Sequence, residues 1–130
     1  MAVAKLDRET SVADLGGPAL RTFFNLAKTW ELSEREQMNL LGLSSRSTLH
    51  AWKSGRVSKV SRDTLERISY LLGIFKAINI LIPDTRRADE WMRLPNEAPL
   101  FGGHSALDRM TTGNIGDLYV VRQYLDAQRG

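Results

Sequence analysis

The two histidines, His50 and His104, are the side chains of this 130-residue sequence best suited to proton transfer or metal binding, because imidazole alone changes charge near neutrality. Neither has partners for that work. They stand on separate segments with no carboxylate at metal-ligand spacing, so each reads as a surface or turn residue and no bound metal is expected. Cysteine is absent, which removes thiolate nucleophiles, disulfides and cysteine-ligated zinc and suits a reducing cytoplasm. No serine has a recognisable histidine and acid set, and there is no glycine-rich nucleotide loop. Asp89 and Glu90 are neighbours in sequence, which points them to different faces of a helix. Gly102-Gly103-His104-Ser105 could form an anion cradle at the head of a helix, but a tight turn that lets the backbone pass close to a neighbour is the simpler use. The sequence therefore predicts a protein that is not an enzyme and needs no cofactor.

What these residue types do support is ionic contact with a polyanion. Residues 44 to 62 carry Arg46, Lys53, Arg56, Lys59 and Arg62 and no acid, whereas the other 13 basic and 15 acidic residues of the chain sum to −2. The positive charge is thus local, as contact with a phosphate backbone requires.

The elements that must position these cations follow from periodicity and punctuation. Residues 1–17 mix small and charged residues and read as a weakly ordered arm. From Pro18, which suits a first helical position, Leu20, Phe23, Phe24, Ala27 and Trp30 fall on one side of a helix. Ser33-Glu34-Arg35-Glu36 has the capping-box form, opening a short helix that Gly42 ends. Ser44, Ser45 and Ser47 are alternative caps for a third helix anchored by Leu49 and Trp52, because the spacing from Gly42 to Leu49 is one residue longer than in many such hairpins. Two short helices around a glycine turn make a helix-turn-helix, and a third helix in a major groove would present Ser45, Arg46, Ser47, His50 and Lys53, with Arg56, Lys59 and Arg62 following. An ordinary helical hairpin with a solvated basic face is the alternative.

Ser61 caps a long helix from Thr64 to about Leu81, whose apolar residues cover too wide an arc for one stripe. Such a helix is buried on more than one side, and a homodimer seam is one way to cover it. A segment from Pro83 to Trp91 follows, then a turn region from Pro95 to Gly103. Ser105 with Asp108 opens another short helix, and Asn114 caps a last one with a core stripe of Ile115, Leu118, Val121 and Leu125. On that last helix Tyr119, Val120 and Tyr124 lie off the stripe beside Arg122 and Asp126, a composition typical of protein interfaces. The N-terminus lacks the apolar core of a signal peptide, and the run from Leu71 to Ile82 is interrupted by Gly73, Lys76 and Asn79, so a soluble cytoplasmic protein with no membrane partner is expected.

Beyond these local readings, the sequence resembles the Xre/MbcA/ParS antitoxins. The residues that carry the resemblance are Trp91, Pro95-Asn96, Leu100-Phe101-Gly102-Gly103, Ser105-Ala106-Leu107-Asp108, Thr111, Gly113 and Leu125, with Gly42-Leu43, Trp52-Lys53 and Gly55 upstream. Ala106 stands where many members have proline. The resemblance implies an all-α fold with an N-terminal Xre-like helix-turn-helix domain over 18–76, joined by a long helix to a small helical toxin-binding domain over 77–130. It further implies an antitoxin that covers the NAD pocket of a RES-domain NAD-degrading toxin, dimerises, and represses its own operon by binding operator DNA. Tyr119, Arg122, Tyr124 and Arg129 are the expected toxin contacts. A plain dimeric helix-turn-helix repressor with no toxin partner is the other reading. Exposed aromatics on the last helix favour the inhibitor, and a fully buried last helix favours the repressor.

Overall fold

Local hydrogen-bonding chemistry sets most helix ends. In the computed structural model, which describes the backbone from residue 2 and side chains from Gly16, seven helices follow one another: α1 (Ala2–Thr29), α2 (Glu34–Leu41), α3 (Arg46–Lys53), α4 (Arg62–Leu81), α5 (Thr85–Trp91), α6 (Ala106–Met110) and α7 (Ile115–Arg129). No strand occurs among the described residues, and an isolated bridge joins Pro95 to Ser105. The expected arm over residues 1–17 lies, apart from Gly16 and Gly17, outside the residues whose side chains are described. The helix expected to open at Pro18 begins at Ala2 instead, so the proline sits in its interior without an N–H to donate to the preceding turn.

Ser33 caps α2 as a full capping box, its Oγ accepting from the Glu36 N–H at 3.1 Å while Glu36 accepts from the Ser33 N–H at 2.8 Å. Gly42 closes α2 in the left-handed region at φ 74°, a conformation a glycine adopts without strain. Of the three candidate serines it is Ser45 that caps α3. Ser61 caps α4, Asp84 caps α5, and Ser105 with Asp108 forms a second capping box at α6. Asn114 occupies the position before α7, yet its side chain makes no capping bond.

The centre of the molecule is α4. Ile68, Leu71, Ile74, Ala77 and Ile78 are all at most 2% exposed, covered by α1 and α2 on one side and by α5 and α7 on the other. Most of its apolar arc is covered inside the chain, while Leu65, Leu72, Phe75 and Leu81 remain half-buried and Ile80 is 49% exposed. Gly73, in the middle of α4, is where α7 comes closest: a Cβ there would fall 2.2 Å from the Arg122 guanidinium. A continuous core runs from Leu20, Phe23 and Trp30 through Leu40, Leu49 and Ile68 to Met92, Met110, Leu118 and Leu125.

Two arginines tie the two ends of this core together. Arg67, 8% exposed, donates to Asp63 (2.8 Å), to the Asn39 carbonyl at the end of α2 (3.3 Å) and to the Gly113 carbonyl just before α7 (2.9 Å). Arg93, following α5, reaches back to the carbonyls of Trp30 and Glu31 (2.9 and 2.8 Å) and to Glu36 (3.4 Å). Carbonyls at helix ends lack helical donors, and a guanidinium presents five N–H groups in a fixed fork, so one side chain can satisfy several of them. None of the described helices is long and apolar enough to cross a membrane.

Candidate functional site

Two surfaces emerge, one on α3 and the segment leading into α4, the other on the outer side of α7. At the first, α3 is seated by Leu49 and Trp52, 0% and 8% exposed, against α1 and α2. That anchoring turns Arg46, Ser47, His50 and Lys53 outward, all of them exposed. Ser45 is half-buried and committed to the helix end: its Oγ accepts from the Thr48 N–H at 3.4 Å and shares a hydrogen bond with the Ser47 hydroxyl at 2.8 Å. Arg56 and Lys59 are exposed on the connection after α3, and Arg62 is exposed at the first position of α4. The eight residues predicted for DNA contact thus lie along α3 and the segment leading to α4.

The sequence reading missed an acid on this surface. Glu34, at the first position of α2, places its Oε1 2.7 Å from His50 Nε2 and 3.9 Å from Arg46 Nε. The hydrogen bond from His50, reinforced by the positive field of Arg46 and Lys53, holds the Glu34 carboxyl below its ordinary value. No local pattern signals this pairing, because 16 residues separate Glu34 from His50 and the capping box accounts for Ser33 and Glu36 alone.

At the other surface α7 lies along α4, burying Leu118, Val121 and Leu125. Its outer side carries Tyr119, 47% exposed, whose ring meets Tyr70 of α4 edge-on at 5.9 Å. One turn on, Arg122 lies across Gly73 and pairs with Asp126 at 3.4 Å, and Arg129 approaches the same carboxylate at 3.7 Å. Burial and the neighbouring Glu66 carboxylate push the Tyr70 hydroxyl above its ordinary value, so it stays protonated. Tyr119, Arg122 and Arg129 share one face of α7, at successive spacings of three and seven residues. Tyr124 does not join them. It is half-buried and packs edge-on against Phe101 at 5.2 Å, and Phe101 in turn meets Trp91 at 6.2 Å. Beside it, Ile78, Leu81, Ile82, Trp91, Leu125 and Gln128 line a groove of about 210 Å³.

The Pro95–Gly103 region is a self-closed turn. The Gly103 N–H donates to the Asn96 carbonyl (2.8 Å), the Asn96 N–H donates to the His104 carbonyl (3.0 Å), and Asn96 Oδ1 accepts from Ala98 (2.9 Å). Gly102 and Gly103 are required by their φ of 57° and 90°, and no backbone crowds them. The reading of close backbone approach is thus replaced by one of conformation. The anion cradle also fails, since the Asp108 carboxylate already occupies the head of α6 by accepting from the Ser105 N–H. Among the described residues no group of three or more metal-ligating side chains converges.

Comparison with known proteins places both surfaces in named modules. Residues 11–73 match the antitoxin Xre-like helix-turn-helix domain, and residues 77–130 match the antitoxin Xre/MbcA/ParS C-terminal toxin-binding domain. A relative from Sinorhizobium fredii, described as uncharacterized protein y4oB, is 49% identical over 111 residues, covering 85% of this chain and 84% of its own length. These domain families are non-enzymatic and regulatory. The chain belongs to the Xre/MbcA/ParS antitoxins and is the antitoxin of a type II toxin–antitoxin system, with DNA and a protein toxin as its two kinds of partner.

Proposed function

We infer that this antitoxin neutralises a RES-domain toxin by lying over its NAD pocket, and that it represses its own operon through α3. Inhibition is steric: the antitoxin supplies no reacting group and needs no cofactor. The observation that carries this reading is the face of α7 formed by Tyr119, Arg122 and Arg129, an exposed aromatic beside two arginines on a helix of the toxin-binding domain. Tyrosine and arginine are the side chains most enriched at interface hot spots, and arginines suit acidic groups around a nucleotide pocket. Tyr124, packed on Phe101, contributes by shaping α7 and its groove, with a smaller share of direct contact. On the DNA side, Ser45, Arg46, Ser47, His50, Lys53, Arg56, Lys59 and Arg62 supply base and phosphate contacts in a cytoplasmic homodimer, whose two copies of α3 read two half-sites. The exposed Tyr119 weighs against a plain repressor with a fully covered last helix.

The test is co-expression of the toxin encoded beside this gene with the wild-type antitoxin, with a Tyr119→Ala/Arg122→Glu form and with Lys53→Glu, scoring growth and cellular NAD. The α7 variant should lose protection of NAD, and Lys53→Glu should keep it while derepressing a reporter under the operon's promoter. Protection by the α7 variant equal to wild type would refute the contact. NAD that stays constant while the free toxin arrests growth would refute the toxin's chemistry. Deleting α7 is not an equivalent test, because α7 covers the core face of α4 and its loss would strip Leu71, Ile74 and Ile78 of their packing.

A further inference from the structure

The DNA surface holds one group that a phosphate-binding face should not want. Glu34 reaches from α2 over α3 and sits among its cations, with Oε1 2.7 Å from His50 Nε2 and 3.9 Å from Arg46 Nε. Arg46 and His50 are four residues apart on α3, hence on one side of it, and a single acid engages both. The three side chains are open to solvent, Arg46 at 72%, His50 at 54% and Glu34 at 40%. The arrangement is therefore free to meet a ligand and is not a buried structural ion pair. An exposed pair of this kind contributes little to stability, about 0–1 kcal/mol, so its consequences lie in what it does to the surface.

Those consequences can be read from donor and acceptor counts. An ionised carboxylate only accepts, so His50 Nε2 must carry the proton, and in the neutral ring Nδ1 is then left as an acceptor. An acceptor at that place fits the exocyclic amines of adenine or cytosine in a major groove. Arg46, whose Nε lies 3.9 Å from the same carboxylate and is drawn to it by charge without a hydrogen bond, keeps its two terminal nitrogens, the pair that fits guanine O6 and N7. Against a phosphate, in contrast, the carboxylate is repulsive and offsets one of the cations. We propose that Glu34 is a specificity-determining positioning residue of the DNA face: it presents Arg46 and His50 to base edges in one orientation and weakens contact with duplexes that lack the matching bases. This rests on the reading that α3 binds DNA.

The test starts from a duplex pool with a randomised core, from which full-length wild-type protein selects its preferred sequences. Affinities for the selected duplex and for the unselected pool are then measured for wild type, Glu34→Ala and Glu34→Gln, at several salt concentrations. Glu34→Ala should bind the unselected pool at least ~3-fold more tightly, since about one more phosphate is neutralised. Its preference for the selected duplex should fall at least ~5-fold, the lower end of what one well-placed base contact supplies. Glu34→Gln keeps an acceptor for His50 without the charge, so it should gain affinity for the unselected pool yet retain more discrimination than the alanine form. Matching thermal midpoints among the three proteins separate this from a folding effect. An unchanged preference ratio in Glu34→Ala, with wild type discriminating, overturns the role of Glu34 and leaves the DNA reading intact. A wild type that enriches no sequence overturns the DNA reading, and this role with it.

Discussion

Replacing Arg67 by methionine should be among the most damaging single changes in this protein, although Arg67 touches neither surface. The guanidinium bonds Asp63, the Asn39 carbonyl and the Gly113 carbonyl, and so fastens the end of α2 to the turn that launches α7. Methionine retains much of the buried stem and therefore isolates the polar loss. Asp63 is half exposed and can rehydrate, so no buried charge is left alone and the 3–5 kcal/mol typical of breaking a buried pair is an upper bound. The two carbonyls lose their donor at roughly 1–2 kcal/mol each, near the lower end of the range for unsatisfied buried groups. The expected destabilisation is about 2–4 kcal/mol, which for a chain of this length is a fall of roughly 10 °C in Tm. Arg67→Lys keeps a charge but cannot reach three acceptors, and should fall between the two. Urea unfolding at neutral pH, followed by far-ultraviolet circular dichroism, measures the difference. An Arg67→Met protein within about 0.5 kcal/mol of wild type would refute the argument that this side chain clamps the two halves, since 0.5 is the ordinary scatter of surface changes.

Gly73→Ala should be neutral or stabilising by up to about 1 kcal/mol, because alanine favours the helix interior and the atoms it meets are the movable end of Arg122; thermal melting reads this, and a loss above ~1 kcal/mol would mean that α4 and α7 cannot adjust. Asp89 has one carboxylate oxygen buried without a partner, and burial raises its pKa above the ordinary 3.8. A raised carboxyl makes the charged native form unfavourable above its folded pKa, a penalty that disappears as pH falls toward the unfolded value, so Asp89→Asn should raise Tm at pH 7 and the gain should vanish near pH 4, as melts across that range would show. Lys53→Ala should weaken DNA binding about equally for all sequences and lower the salt slope by roughly one, measured by fluorescence anisotropy. Met110→Ala, which opens a cavity in the core between α6 and α7, should cost about 2–5 kcal/mol in urea unfolding.

What the sequence made legible was chemistry that acts over three or four residues. The Ser33–Glu36 and Ser105–Asp108 capping boxes, the Gly42 stop and the Leu49–Trp52 anchor of α3 each rest on contacts within one turn, so type and spacing suffice. Ser45, among three serines, and Asn114, which takes the capping position without the capping bond, show where that resolution ends. The wide apolar arc of α4 was read as burial on more than one side, but which elements supply the cover is tertiary information: α1, α2, α5 and α7 do so within one chain. The same limit explains the long-range contacts of Glu34, Arg67 and Arg93, which reach partners 16 to 63 residues away and leave no periodic trace. On α7 the interface composition was visible, while the separation of Tyr124 from Tyr119, Arg122 and Arg129 depends on Phe101, which arrives from a distant loop.

The claim on which the account turns is that the outer face of α7 is the toxin contact, and the most direct measurement is the affinity of purified antitoxin for its cognate toxin by calorimetry. Tyr119→Ala/Arg122→Glu should bind at least ~100-fold more weakly than wild type, as expected when two hot-spot side chains at the centre of an interface are lost. Its melting temperature should stay within a few degrees of wild type, since Tyr119 is exposed and Arg122 lies over Gly73 at the surface. An affinity equal to wild type in this folded double variant would contradict the account and move the contact off α7.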